Sequence, residues 1–201
     1  MADSRTPLEP RNFYHVYNHA VGNEKLFKTR NNYLFFLERL WKYLQEFVDI
    51  YCYCLMPNHF HLLARVKDHK SILSAILNSN PPMKLISDII LPNIISRQFS
   101  HLFNSYAQAY NKENQRKGSL FYNRYKRKLV DSEVYLKKLI HYIHYNPVES
   151  GFMEKVDEWE YSSYKAFIFK GETLVKRKEV LELFGDIEHF IFCHSVEPYE
   201  G

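Results

Sequence analysis

The chain has 201 residues, 46% of them apolar, with a net charge of +4, enough for one domain, or one domain with a tail, around a full core. It has no run of about 18 apolar residues, and no hydrophobic stretch follows Met1-Ala2-Asp3-Ser4-Arg5, so neither a membrane span nor a signal peptide is expected and the protein reads as cytoplasmic. Cys52, Cys54 and Cys193 make neither an even disulfide set nor a zinc-site spacing, and the first two read as small core residues of a strand.

In chain order, Asn12 to His19 reads as a strand, with Tyr14, Val16 and Asn18 on one face and His15, Tyr17 and His19 on the other. Asn32 to Phe47 reads as an amphipathic helix whose apolar positions are Phe35, Leu37, Leu40, Leu44 and Phe47. Val48 to Leu55 is a second strand, which Pro57-Asn58 turns into a third running to Val66. Ser71 to Asn78 suits a short helix, interrupted at Pro81-Pro82 and Pro92. A longer helix follows from about Asn93 to Lys112, with Ile95, Phe99, Leu102, Tyr106 and Ala109 inward. Gly118 breaks the chain, and Tyr125 to Val130 reads as a strand carrying basic residues outward.

The third strand opens with His59-Phe60-His61. Strand side chains alternate, so both histidines point one way and Phe60 points into the core. Two imidazoles on one face can grip a divalent metal and leave positions open for a third ligand and a substrate. Among 10 histidines such a pair alone is unremarkable, and its meaning depends on what completes it.

Ser132 to Asn146 reads as a helix, capped by Asp131 or Ser132, with Glu133 at the positive end of its dipole and Pro147 just beyond its end. Leu136, Ile140 and Ile143 form a core stripe; Tyr135, Leu139, Tyr142 and Asn146 form its neighbour. Tyr142 and Asn146, four apart, stand one above the other. A phenol and an amide oxygen presented to two histidines make a coherent site for phosphoryl chemistry. The amide would help ligate a metal, and the phenolate oxygen would attack phosphorus.

From Lys112 to Lys128 the chain carries Lys112, Arg116, Lys117, Arg124, Lys126, Arg127 and Lys128 against Glu113 alone, with Phe121, Tyr122 and Tyr125 interleaved. Cations for phosphates beside aromatic faces for unstacked bases suit a single-stranded nucleic acid. Gly151 and the cluster Trp159, Tyr161, Tyr164 and Phe167 pack most simply against the sheet, and Lys176 to Phe184 reads as a terminal helix. Residues 171–201 hold three Lys/Arg and seven Asp/Glu; removing them from 27 and 23 leaves a body of 24 and 16, a balance of +8. The sequence leaves open whether this acidic tail shields the basic surface or covers a sheet edge.

Leu55-Met56-Pro57-Asn58-His59-Phe60-His61-Leu62-Leu63, followed by Tyr142-Ile143-His144-Tyr145-Asn146-Pro147-Val148, resembles the single-tyrosine transposases of the His-hydrophobic-His nuclease superfamily, most closely the REP-associated branch. Tyr14-His15-Val16-Tyr17-Asn18, Gly118-Ser119-Leu120-Phe121 leading to Arg124-Tyr125-Lys126-Arg127, and Trp159-Glu160-Tyr161-Ser162-Ser163-Tyr164 fit as well. The resemblance spans roughly residues 12 to 168 and leaves Lys67 to Pro92 unmatched.

That resemblance implies an α+β fold: a ferredoxin-like antiparallel sheet with helices packed on one face, plus a short C-terminal helical tail. Residues 1–170 would form the transposase-like nuclease domain and 171–201 the acidic tail packed on it. The implied activity is metal-dependent cleavage and rejoining of single-stranded DNA through a covalent 5′-phosphotyrosine. Tyr142 matches the nucleophile, His59 and His61 the metal pair, and Asn146 the third ligand of a Mg or Mn ion. Tyr145 lies about 100° from Asn146 and about 300° from Tyr142, off the metal-facing stripe, and Tyr135 lies almost two turns further from the ligand. The expected DNA contacts are Arg116, Lys117, Arg124, Lys126, Arg127 and Lys128; the expected partner is single-stranded or hairpin DNA, bound by a monomer or a homodimer, with no membrane. His15, His19, His69, His101, His141, His144, His189 and His194 read as ordinary polar residues. Two other classes share these features: a replication initiator or relaxase with the same chemistry, and a non-catalytic nucleic-acid-binding module.

Overall fold

The alternation of Asn12–His19 is expressed as strand β1 (Phe13–His19), whose Tyr14, Val16 and Asn18 are buried. A computed structural model describes residues 5–78 and 91–198 of the chain. Met1–Ser4 and the Pro81-Pro82 interruption lie outside these residues. Helix α1 (Arg30–Leu44) starts two residues ahead of expectation, because Thr29 and Asn32 form a reciprocal capping box. Its buried face is Tyr33, Phe36, Leu40 and Leu44, so Phe35 and Leu37 pack only partly, a shift the even spread of apolar residues along this helix concealed. Strands β2 (Val48–Met56) and β3 (His59–Val66) are joined at Pro57-Asn58, followed by α2 (His69–Asn78), α3 (Leu91–Glu113) and β4 (Lys126–Val130).

These strands form one sheet in the order β2-β3-β1-β4, every neighbour antiparallel. Because β3 lies antiparallel between β1 and β2, those two run parallel and α1 makes the crossover; this is the expected ferredoxin-like topology. The helices, expected on one face, cover both. Phe36 of α1 and Phe103 of α3 stack on Phe60 from one side, at 5.3 and 5.4 Å between ring centroids. Helix α4 (Glu133–Glu149) lies on the other, with Tyr142 over His61. The physical reason lies in β3, where six of eight residues are buried, including Leu62 and Leu63 on opposite faces.

Helix α4 is capped by Ser132, whose hydroxyl accepts from the Tyr135 N–H at 3.2 Å. It continues past Pro147, where an end was expected, to Glu149. Proline removes one backbone donor, a small loss this close to a C-terminus, and the turn is closed by the Ser150 N–H to Asn146 O bond of 3.0 Å. The stop is Gly151, at φ 71°, a left-handed backbone that glycine adopts without a Cβ penalty. Asn146 is thereby held inside a regular helix rather than on a fraying end.

Beyond α4 the chain returns to the free edge of β2. Leu55 N–H donates to Tyr161 O, Ser163 N–H to Tyr53 O and Lys176 N–H to Ile50 O, so this edge is covered rather than left as a template for another strand. Trp159 is buried, its indole N–H donating to Leu55 O at 3.0 Å. After α5 (Lys165–Ile168) and α6 (Arg177–Phe184) a further helix, α7 (Ile187–His194), seats Phe190 in the core; the sequence reading had no helix there. Cys52 and Cys54 are buried thiols. Among the described residues no helix is long and apolar enough to cross a membrane.

Candidate active site

The β1–β3 register sets the site. His59 pairs with His19 and His61 with Tyr17, so four polar rings share the face covered by α4, and His15 follows on the same side. His59 and His61 stand with ring centroids 5.1 Å apart at 83°. His61 Nδ1 is 2.9 Å from His15 Nε2, and the His19 ring stacks on His59 at 5.0 Å. From above, α4 brings Asn146 Oδ1 to 3.0 Å from His59 Nε2 and the Tyr142 ring to 5.5 Å from that of His61. His59, His61, Tyr142 and Asn146 are therefore brought together, from two strand positions and two turns of one helix.

Burial controls the electrostatics. His61 is 6% exposed, and desolvation, reinforced by His15, holds its pKa well below the usual range. Desolvation likewise lowers His59 and takes His15 down to about 4, with Lys128 adding to the effect. These imidazoles are neutral at pH 7, the form that can ligate a metal. Burial raises Tyr142 and the Glu149 charge raises it further, while the Asn146 amide acts against both. Tyr142 opens onto a cleft of about 360 Å³ shared with Tyr135 and Tyr145, and Glu197 and Pro198 stand at its rim. Tyr145 turns toward His141, 6.0 Å between centroids, and makes no ring contact with His59 or His61.

The predicted DNA-contacting cations separate into three groups. Lys117, Arg124, Lys126 and Lys128 are exposed, and Lys128 lies 4.5 Å from the Tyr135 ring centroid on the α4 side. Arg116 instead ties the chain together, pairing with Glu24 at 2.7 Å and donating to Asn111 Oδ1 and Ser119 O. Arg127 is not carried outward. Between Lys126 and Lys128 in a strand it must point to the opposite face, where it is 6% exposed and donates to Ser96 Oγ and Tyr125 Oη. The sequence reading missed His15 and His19 as neighbours of the pair; pairing the first strand with the third would have found them. Among the described residues no group of three His, Cys, Asp or Glu is placed to hold a metal ion.

No family model matches the chain. A protein of Haemophilus influenzae named "Putative REP-associated tyrosine transposase" is 28% identical over 114 residues, 55% of this chain and 56% of that protein. The match thus spans little more than half of the relative's length. Among solved structures, a REP-associated tyrosine transposase bound to a REP hairpin superposes with a TM-score of 0.60 at 12% identity, over 86% of this chain and 93% of that one. The chain resembles the REP-associated tyrosine transposases. The sequence match and the shared α+β fold agree with the resemblance carried by the motifs.

Proposed function

We propose that the chain cleaves and rejoins single-stranded or hairpin DNA as a transposase-type transesterase, with Tyr142 as the nucleophile. The observation that carries this is the meeting of Tyr142 and Asn146, one turn apart on α4, with His59 and His61 on β3. The Tyr142 oxygen attacks phosphorus and the P–O3′ bond breaks. The phenol proton is lost to solvent and the departing 3′-oxygen takes one up. The product is a 5′-phosphotyrosine and a free 3′-hydroxyl, a polarity that rests on the family resemblance. Covalent storage keeps the phosphodiester energy for rejoining, which hydrolysis would lose.

His59, His61 and Asn146 would hold a Mg or Mn ion, and their donors fit one. Both ring nitrogens of His59 face amide oxygens, Asn58 Oδ1 at 2.8 Å and Asn146 Oδ1 at 3.0 Å. With the single N–H of a neutral imidazole on Nδ1, toward Asn58, His59 Nε2 and Asn146 Oδ1 turn lone pairs to one point where a cation could be held. His15 occupies Nδ1 of His61 and so orients the ring from behind, leaving Nε2 for the ion. When bound, the ion supplies charge stabilisation at the phosphate. Lys126 and Lys128, exposed on the same sheet face, would hold the strand that leads to Tyr142.

The test is incubation with end-labelled single-stranded DNA and Mn²⁺ or Mg²⁺, followed by denaturing electrophoresis. A labelled band at the protein's mass, lost in Tyr142→Phe, supports the reading; turnover with no adduct at any time point removes it.

A further inference from the structure

On the face of the sheet opposite Tyr142, a cleft of about 790 Å³ opens between α3 and β4. Its α3 wall is polar at helical spacing, Ser96, Ser100, Asn104, Gln108 and Asn111, while the core side of the same helix is Ile95, Phe99, Leu102, Tyr106 and Tyr110. Asn104 and Gln108 are exposed and make no hydrogen bond among the described residues. Among the described residues no carboxylate lines the cleft, and Arg5, Arg124 and Arg127 do.

Arg127 is the informative residue. It is 6% exposed, and among the described residues it has no acidic partner. Its Nη1 is served by Ser96 and Tyr125, but its Nε is buried with no acceptor. A guanidinium carries five donors, and a buried cation without a counter-charge is costly to keep. The cleft is the open side from which an anionic acceptor can reach it. Two oxygens of a phosphate match that fork, and primary amides two turns and less along a helix match the donor–acceptor edges of bases.

We propose that the α3–β4 cleft is a second DNA subsite, in which a backbone phosphate pairs with Arg127 and Arg124 and Asn104 and Gln108 read an unpaired base. β4 is the edge strand, so a DNA strand leaving the cleft can round that edge to Lys126 and Lys128 on the Tyr142 side. The subsite selects sequence and the tyrosine face performs the reaction. This deepens the DNA-processing reading and rests on it.

The experiment enriches tight binders from a randomised, fluorescein-labelled 12-nucleotide single-stranded DNA pool on the full chain. Enriched and unselected strands are then compared by anisotropy across salt concentrations. Asn104→Ala/Gln108→Ala should lose about tenfold of the preference for enriched strands while still binding the unselected pool. Arg124→Ala should weaken both and lower the slope of log affinity against log salt by about 0.7, whereas Arg127→Lys, which keeps the charge and loses the planar fork, should weaken both with the slope nearly unchanged. If Arg127→Lys melts early, the exposed Asn104, Gln108 and Arg124 changes decide the outcome. Undiminished preference and salt slope in those folded variants overturn the subsite. If they also form the Tyr142 adduct, the proposed reaction stands without it. Cleft-dependent selectivity in a wild-type protein that never forms the adduct has the opposite meaning, keeping the subsite and removing the reaction.

Discussion

At the scale of single residues, the division of labour around His59-Phe60-His61 follows from strand alternation alone. Phe60 is 1% exposed and packs on Phe36 and Phe103, so Phe60→Leu should keep activity, whereas Phe60→Ala should cost about 3–5 kcal/mol in a urea melt. His59→Ala and His61→Ala should each abolish metal-dependent cleavage without that loss of stability. Asn146→Ala should reduce cleavage less, since an amide is the weakest ligand of the three, and should raise the Mn²⁺ concentration needed for half-maximal cleavage. A residue-level reading of the sequence reached these four side chains because spacing within one strand and one helix determines which of them share a face. It did not reach His15, whose bond to His61 depends on register between strands 46 residues apart.

At the scale of elements, β4 shows what a composition argument cannot see. Seven cations between Lys112 and Lys128 read as one basic surface, yet Arg116 is paired with Glu24 and Arg127 is turned beneath the sheet. Lys126→Gln/Lys128→Gln should lower the salt slope of single-strand binding by about 1.4 and leave the melting temperature nearly unchanged. Arg127→Gln should instead destabilise by about 1–3 kcal/mol, because it removes two buried hydrogen bonds, to the Ser96 and Tyr125 hydroxyls, which then keep only each other. Equal stability in the two variants would refute the inward placement of Arg127. The strands and the long helices were legible from period 2 and period 3.6. Helix α4 outlasting Pro147 was not, since a proline near a C-terminus costs little and the stop belongs to Gly151.

At the scale of the whole molecule, acid sensitivity should come from buried neutral histidines. Desolvation takes His15 to about 4 and His194 to about 3, with His61 and His144 also well below the usual value. Unfolded histidines protonate near 6.5, so below that pH the unfolded chain binds more protons than the folded one. Stability should be fully present above pH 6.5 and fall as the pH drops toward 4 and then 3, a trend followed by thermal melting. The segment after Gly171 belongs to this scale too. Val180 and Phe190 within it are fully buried and Lys176 bonds to β2, so truncation at Gly171 should lower the melting temperature by more than about 10 °C.

In the proposed reaction α4 presents Tyr142, not Tyr145, to a phosphodiester beside His59 and His61. The most direct measurement is the denaturation-resistant protein–DNA adduct formed with labelled single-stranded DNA and Mn²⁺, mapped to its residue by peptide mass spectrometry. A phosphonucleotide on Tyr142 that disappears in Tyr142→Phe and persists in Tyr145→Phe is the predicted result. An adduct that maps to Tyr145 or Tyr135, or that survives in Tyr142→Phe, would contradict it.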